Sequence, residues 1–220
     1  MNLPVKKFLS GSALKWIAIA VMLIDHIGAS GLVDSWTLRQ IGRTAFPLFC
    51  FLLAEGAVHT KNIRKYLGRL AVFAVLSEVP FDLAIYGQTF YWGSQNVYWT
   101  LFLGLCAIYL FQRFPAEGWK GCLGLAVMAA AAEVCGTDYG AVGVIVITLM
   151  YMLREKPWLR FITCYGLLVL MSRVELWCLP AFGLIALYNR KRGRQPRYLF
   201  YGFYPVHLLV LWIIDKWCFY

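Results

Sequence analysis

The stretch Ala13–Gly31, ALKWIAIAVMLIDHIGASG, decides the fold class of this chain. Residues 13–24 are almost wholly apolar, as the centre of a membrane-spanning helix must be. Asp25 and His26 then follow side by side, before the roughly 20 residues that cross a bilayer's hydrocarbon core are complete. An ionisable pair at this depth is costly unless neighbouring helices or water receive it, so it marks a functional site by default.

The composition of the whole chain is that of a membrane protein. Of its 220 residues, 61% are hydrophobic and only 15% are charged, whereas about 25% of a soluble domain is charged. The formal charge of +10 comes from basic residues between apolar stretches, which is typical of membrane topology and argues against nucleic acid as a partner. The seven cysteines form no CxxC pair, so we predict no metal site.

Nine apolar stretches of about bilayer length follow one another along the chain. They are 13–32, 43–59, 67–86, 97–112, 120–136, 140–153, 158–173, 175–189 and 200–219. The turn Gly136–Gly140 separates the fifth stretch from the sixth, because Thr137 and Asp138 are too polar for a helix face in lipid. No linker or second domain is visible. Residues 1–220 are therefore predicted to form a single all-α, polytopic membrane domain, a bundle of about nine transmembrane helices.

The basic residues predict the orientation of this bundle. With a cytosolic N-terminus, the cytosolic ends hold 17 of the 21 Lys and Arg residues: Lys6, Lys7, Lys15, Lys61, Arg64, Lys65, Arg69, Arg113, Lys120, Arg154, Lys156, Arg160, Arg190, Lys191, Arg192, Arg194 and Arg197. The other side holds Arg39, Arg43, Arg173 and Lys216. This bias predicts a cytosolic N-terminus and an extracytoplasmic C-terminus.

The acidic residues lie mostly at the opposite ends of the stretches. They are Asp25, Asp34, Glu78, Asp82, Glu133, Asp138, Glu175 and Asp215, with Glu55 deeper in the second stretch. Together with the arginines of that side they predict a polar cavity that opens outward; the alternative is a set of helix-end charges and buried ion pairs. Adjacent residues of a helix differ by about 100° in direction, so Asp25 is expected to pair with an arginine rather than with His26.

Two helical pairs and one histidine add candidate residues. Glu55 and His59 are four residues apart on one helical face, and Glu78 and Asp82 share a face in the same way. Two carboxylates so close are expected to share a proton or to recruit a cation such as an arginine. His207, on the last stretch, fits a hydrogen-bonded packing residue as well as it fits a catalyst.

Specific motifs run along nearly the whole chain, from Ser10 to Leu211. They are SGSALKWIA, MLIDHIG, GRTAFPLFCFLLAEG, HTKN, YLGRL, SEVPFDLA, NVYWTL, DYGAVGV and FYGFYPVHLL. In these motifs the chain resembles the TraX conjugal-transfer family. The resemblance implies a multi-pass protein of the bacterial inner membrane, of the kind that N-acetylates pilin, the subunit of the conjugative pilus.

The TraX family is in turn similar to the wider membrane acyltransferase-3 group, which modifies sugars and cell-surface polymers. In that group, a histidine in the first spans and an arginine ahead of a span rich in proline and phenylalanine are associated with activity. Carried over by motif, these residues are His26 and Arg43. The resemblance thus implies acyl transfer from acetyl-CoA, without a metal, to an amine or hydroxyl of an acceptor in or at the membrane, either a pilin-like peptide or a surface glycan or lipid.

The chemistry of acyl transfer assigns roles to these residues. Transfer from a thioester needs a base near neutral pH, and His26 suits that role. Asp25 and Arg43 complete the predicted catalytic set, with Arg43 as the donor that holds the thioester oxygen as charge develops. The substrate-binding candidates are Glu55, Glu78, Asp82, Arg173, Glu175 and His207, and the candidates for the phosphates of coenzyme A are Lys61, Arg64, Lys65 and Arg69.

A transporter is the main alternative to an enzyme. Intramembrane Asp, Glu and His residues also build proton relays, and helices broken by proline or glycine also build substrate sites, which fits a proton-coupled small-solute transporter. No internal repeat relates the two halves of the sequence, which counts against this class. A scaffold without chemistry explains the charges least well, because it needs no polar cavity.

Overall fold

The structure, a computed structural model, describes residues 7–194 and 197–219. These residues form ten α-helices and one 3-10 helix, with no strand longer than an isolated bridge. The helices are α1 (Gly11–Ala29), α2 (Trp36–Gly42), α3 (Ala45–His59), α4 (Ile63–Tyr86), α5 (Val97–Arg113), α6 (Gly118–Val134), α7 (Gly140–Met152), α8 (Pro157–Met171), the 3-10 helix (Arg173–Cys178), α9 (Leu179–Ala186) and α10 (Arg197–Phe219). The all-α prediction is confirmed.

The helix ends follow from local sequence chemistry. The side chains of Ser10, Asn62 and Asn96 accept hydrogen bonds from the first-turn N–H groups of α1, α4 and α5, which otherwise have no partner. Between α6 and α7, Tyr139 and the two flanking glycines of GTDYG have positive φ angles, 62° at Gly136, 65° at Tyr139 and 48° at Gly140. Right-handed helix cannot continue through such residues, so the predicted break at this turn is confirmed.

Helix α3 lies at the centre of the bundle. Two thirds of the apolar window in Trp36–His59, which α2 and α3 share, is buried, against 28% for α1 and α10. In α3 itself Leu48, Cys50 and Ala54 are inaccessible or nearly so. It packs against α1, α5, α7 and α9. The position of α3 explains why its sequence is apolar on every side rather than amphipathic.

Contacts between helix ends define two opposite ends of the bundle. At the first, which we call the basic end, the Gln112 side chain at the end of α5 donates to the carbonyl of Ala57 near the end of α3, at 3.2 Å. The amide of Gly11 at the start of α1 donates there to the carbonyl of Lys191, at 2.8 Å. At the second, the site end, the C-terminal part of α1 meets α2, the start of α7 and the 3-10 helix.

Among the residues that the structure describes, three helical segments are long and apolar enough to cross a membrane: Gly11–Ala29, Trp36–His59 and Leu199–Trp217. Val97–Arg113, Gly140–Met152 and Pro157–Met171 are apolar but shorter. These segments identify a membrane protein, while the number of spans and the side on which each terminus lies stay predictions. Lys6, which the orientation argument counts as cytosolic, lies outside the described residues, as does the side chain of Arg197.

Candidate functional site

Asp25 lies where α1 packs against α2, and it is paired with two arginines. Its Oδ2 accepts from Nη1 of Arg39 at 2.7 Å, and its Oδ1 accepts from Nη2 of Arg43 at 2.8 Å. The close approach requires Gly42, because a Cβ atom there would overlap the Cβ and Oδ1 of Asp25. The prediction that Asp25 pairs with arginine rather than with its neighbour is confirmed.

Arg43 joins three parts of the bundle through its guanidinium. Besides the bonds to Asp25, Nη1 donates to Oε1 of Glu175 at 3.2 Å and to the hydroxyl of Tyr139 at 3.3 Å, and Nε donates to the carbonyl of Arg39 at 3.3 Å. Glu175 is 1% exposed, so this is a buried ionic network. All three nitrogens of Arg43 are engaged, and the side chain is therefore held in one orientation.

His26 faces away from this network, towards α10. Its Nδ1 lies 2.6 Å from Nε2 of His207, and the two rings are 13° from parallel. Nδ1 of His207 lies 2.7 Å from the carbonyl of Phe203, which only accepts hydrogen bonds, so that nitrogen of His207 carries the proton. In the neutral pair, His207 Nε2 then accepts from His26 Nδ1–H, and His26 Nε2 is left with its lone pair.

A narrow apolar cavity of about 80 Å³ leads from the basic end towards this histidine pair. It runs between α1, α3, α4, α5 and α10, with Lys15 and Phe200 near the basic end and Met22, one turn before His26, further along. Tyr204 also lines it and packs edge-on against both imidazoles, with centroids 5.7 Å away in each case. The cavity thus approaches the histidines from the side opposite the arginine network.

Glu78 and Asp82, which the sequence places at the same site, form a separate polar cluster. Glu78 accepts from the side chains of Asn96 and Trp99, the latter at 2.9 Å, and Asp82 accepts from the amide of Tyr91 at 2.8 Å. Of the two expected alternatives, a shared proton or a recruited cation, the structure shows no cation: within the described ranges neither carboxylate forms an ion pair with a basic side chain. Neutral donors from the start of α5 and the loop before it take that place.

Arg173 and Glu55 also lie away from the predicted centre. Arg173 is exposed at the start of the 3-10 helix, which turns Glu175 inward two residues later. Glu55 faces a different cavity at the basic end, shared with His59. The shared face of Glu55 and His59 is confirmed, because both line this cavity. Arg173 lies at the surface rather than beside the histidines, and its role in substrate binding stays a prediction.

The four residues predicted to bind coenzyme A lie at the start of α4, at the basic end. Lys61, Arg64 and Lys65 are exposed, and Arg64 donates to the hydroxyl of Tyr109 at 3.3 Å. The guanidinium of Arg69 lies over the ring of Tyr66, 5.5 Å from its centroid. Tyr66 in turn lines the apolar cavity, so this end of the cluster borders the cavity's wall.

Sequence reasoning assigns no role to two tyrosines that contact the candidate site. Tyr139 holds Arg43 and stacks on Phe46 with ring centroids 3.5 Å apart, and Tyr204 packs on both histidines. Both stand inside motifs, DYGAVGV and FYGFYPVHLL, yet aromatic residues are so frequent in this chain that neither stands out. Within the residues that the structure describes, no cluster of three or more His, Cys, Asp or Glu side chains could hold a metal ion.

Asp138, in the turn before α7, adds a further carboxyl group to the charged network. Burial raises its pKa from 3.8 to about 6, with Asp25 acting in the same direction and Arg43 and Arg39 opposing it. Its own amide donates to the carbonyl of Gln95 at 2.9 Å, which fixes the turn against the loop before α5. This carboxyl group therefore titrates just below neutral pH.

Comparison with known proteins finds relatives that match nearly the whole chain. A family model described as TraX protein matches residues 10–215. The chain is 32% identical to the probable fimbrial assembly protein FimC, serogroup H1, of Dichelobacter nodosus, over 92% of this chain and 94% of that protein. It is 24% identical to protein TraX of Escherichia coli strain K12, over 91% of this chain and 85% of that protein. No solved structure matches the chain.

Proposed function

The chain belongs to the TraX family, and we propose that it is an integral membrane acyltransferase. It moves an acyl group, in the simplest case acetyl, from cytosolic acyl-CoA to an amine or hydroxyl of an acceptor in or at the inner membrane. The observation that carries this proposal is the histidine pair, because its hydrogen bonds leave a lone pair on Nε2 of His26. The apolar cavity ends near the pair, since Tyr204 lines it and packs on both imidazoles.

In the proposed reaction His26 is the general base. Its Nε2 takes the proton from the acceptor N–H or O–H as that atom attacks the thioester carbonyl carbon. The carbon–sulfur bond then breaks, and the departing thiolate of coenzyme A receives the proton. His207 stabilises the imidazolium that forms in between, because Nδ1–H of His26 points at its Nε2 lone pair.

Asp25 and Arg43 position His26 in this mechanism. The ion pairs of Asp25 with Arg39 and Arg43 fix the C-terminal part of α1, and adjacent residues of a helix point about 100° apart, so His26 is directed at α10. The sequence-based role of Arg43 as a direct donor to the thioester oxygen requires one of its present bonds to open. Its full set of partners favours a positioning role, with its positive charge acting on the site at a distance.

The small volume of the apolar cavity favours a short acyl chain as the transferred group. A water-sized group needs about 10–15 Å³ of such space, so 80 Å³ admits only a handful of them. Lys61, Arg64, Lys65 and Arg69 remain the proposed contacts for the phosphates of coenzyme A at the basic end, since guanidinium and ammonium groups pair strongly with phosphate oxygens. The relative named as a fimbrial assembly protein directs the choice of acceptor towards the subunit of a surface fibre.

The test is acyl transfer by purified protein in nanodiscs with labelled acetyl-CoA. A pilin-like peptide with a free N-terminus is offered as amine acceptor, and a surface glycan as hydroxyl acceptor. His26→Gln keeps much of the size of the side chain but cannot transfer a proton, so we expect a loss of roughly 100- to 10,000-fold. Arg113→Gln, an exposed change at the basic end, is the matched control and keeps wild-type turnover.

Two results would contradict the proposal. Wild-type rates in a correctly folded His26→Gln protein would remove the proposed base. Failure of the wild type to acylate either acceptor, together with proton-coupled solute uptake in liposomes, would favour the transporter.

A further inference from the structure

A second cavity, of about 300 Å³, lies at the basic end and is separate from the histidine site. We call it the basic-end pocket. Phe51 and Glu55 of α3 form one wall, and the start of α8 and the segment after α9 form the others. The apolar cavity described above is lined by Phe49, Leu52 and Leu53, on a different side of α3. The acyl-transfer mechanism makes no use of the basic-end pocket.

Four basic side chains from four different segments converge on this pocket. They are Lys7 before α1, Arg154 between α7 and α8, Arg160 in α8 and Arg190 after α9. Two carboxylates, Glu55 and Glu155, line it as well. Glu155 lies 3.5 Å from Arg190 and 3.8 Å from Arg154. The pocket therefore carries an excess of positive charge.

Arg160 is the fixed cation of the pocket. Its guanidinium lies over the ring of Phe51, 5.1 Å from the centroid, which holds the group in place while leaving its N–H donors available. In the described part of the chain no carboxylate lies within 4.0 Å of it. A half-buried guanidinium without an ion-pair partner is matched by an anion from outside the protein.

The backbone around the pocket also favours an anion. Helix α8 begins at Pro157, which lines the pocket, and its N-cap residue Lys156 provides no side-chain hydrogen bond to the first turn. The N–H groups of an uncapped helix start carry partial positive charge and favour an anion. Arg190 has a φ angle of 62°, a costly conformation for a residue other than glycine, and it places this side chain at the pocket's edge.

We propose that the basic-end pocket binds a phosphate-bearing ligand that approaches from the basic end of the bundle. Phosphate is the anion that the planar donor fork of an arginine and a helix start both recognise. The phosphate belongs either to a soluble molecule such as coenzyme A or to the headgroup of an anionic phospholipid. The pocket lies at the end of the bundle where both sources meet the protein if the basic end is cytosolic.

The probes are inorganic pyrophosphate, coenzyme A, and nanodiscs of phosphatidylcholine with or without phosphatidylglycerol. The unfolding temperature and the concentration dependence of its shift are measured for wild type, Arg160→Gln and the control Arg113→Gln. We expect at least one probe to stabilise the wild type and the control, with about tenfold or more weaker binding in Arg160→Gln. Stabilisation by a soluble probe that Arg160→Gln weakens identifies a soluble phosphate in this pocket, because coenzyme A bound only at Lys61, Arg64, Lys65 and Arg69 would stabilise both proteins equally. Stabilisation only by phosphatidylglycerol, again weakened in Arg160→Gln, identifies a headgroup.

Absence of a response to all probes, or equal responses in wild type and Arg160→Gln, would overturn the proposal. If Arg160→Gln does not fold, Arg190→Gln replaces it, because that side chain is 72% exposed and its removal disturbs little packing. The readout is binding rather than acyl transfer. Turnover of His26→Gln tests the proposed enzyme, and phosphate binding by Arg160→Gln tests the basic-end pocket. Either proposal can therefore fail while the other stands.

Discussion

His207 acts on His26 through a hydrogen bond that also decides which nitrogen of each ring carries a proton. The carbonyl of Phe203 keeps Nδ1 of His207 protonated, and that choice passes through the 2.6 Å contact to leave His26 Nε2 unprotonated. A base of this kind depends on its partner's acceptor atom more than on its partner's charge. The consequence is a difference between two substitutions at one position.

His207→Gln is expected to be milder than His207→Leu. The amide oxygen of glutamine can accept from Nδ1–H of His26 and preserve its tautomer, whereas leucine removes the acceptor and leaves that N–H without a partner. We expect His207→Leu to approach the loss seen in His26→Gln, roughly 100-fold or more in turnover, and His207→Gln to retain a larger fraction. Turnover of both purified variants, normalised to folded protein, is the measurement. Equal losses would show that the tautomer is set some other way.

Asp138 makes the stability of the fold depend on pH. Its pKa is raised by burial from 3.8 to about 6, so in the pH range between these values the unfolded chain releases this proton more readily than the folded protein. The contribution of Asp138 to stability therefore falls as the pH rises from 4 to 6. We expect Asp138→Asn to remove that loss.

The measurement is the unfolding temperature of both proteins in detergent between pH 4 and pH 7. The advantage of Asp138→Asn over the wild type should grow as the pH rises through this range and level off above it. An advantage that shrinks over the same range would mean that Arg43 and Arg39 outweigh burial and hold the carboxylate charged.

At the scale of the elements, the packing of α1 against α2 sets the position of the site. Gly42 ends α2 directly against the side chain of Asp25, and the short loop that follows Ala29 allows the two helices to pack closely. A side chain at residue 42 must push Asp25 away from Arg43. One missing Cβ atom thus keeps the buried ion pair intact.

Gly42→Ala tests this packing. Disrupting a buried ion pair costs about 3 kcal/mol or more, so we expect a clearly lower unfolding temperature and loss of acyl transfer. Gly166→Ala in α8 is the matched control, because a Cβ atom there meets nothing within 4 Å. The two unfolding temperatures are compared directly. Similar values for both variants would show that α1 and α2 can separate without cost.

Sequence patterns predicted the positions of the helices well, but predicted poorly which side chains meet between helices. Apolar length located α1 and α4, and GTDYG located the break before α7, because hydrophobicity and glycine act over a few residues. The rotation of a helix about its axis depends on its neighbours, which lie far away in sequence. For that reason the sequence left the partners of Glu78 open, whereas the structure places it beside Asn96 and Trp99. The contact of His207 with His26 likewise depends on the packing of α10 near α1.

The short helices at the site end, α2 and the 3-10 helix, could not be predicted from hydropathy for the same physical reason. The predicted stretch 175–189 covers most of a 3-10 helix and the eight-residue α9, and the separate helix α2 lies just before the second predicted stretch, 43–59. Both irregular segments lie at the site end and contribute Glu175 and Arg39 to the charged network. Short helices of this kind are stabilised by tertiary contacts rather than by their own sequence, so hydropathy alone merges them into their neighbours.

At the scale of the whole molecule, charge is separated along the axis of the bundle. The buried ionic network of Asp25, Arg39, Arg43 and Glu175 occupies the site end, while Lys61, Arg64 and Arg154 are exposed at the other. Basic residues in excess at one end are the feature that orients a membrane protein in the cytosolic membrane. If the predicted orientation is right, reagents added outside the cell reach the site end and not the basic end.

Labelling of single cysteines in intact cells tests that orientation. Thr89→Cys in the exposed loop between α4 and α5 should react with a membrane-impermeant maleimide, and Lys61→Cys at the start of α4 should react only after the cells are opened. Both reporters are placed in a background in which Cys122, Cys135 and Cys218 are serine, since Cys122 and Cys135 are exposed.

Reaction of Lys61→Cys in intact cells, with Thr89→Cys protected, would reverse the orientation. The histidine pair would then take its acceptor from the cytosol, and the basic end would meet no cytosolic coenzyme A.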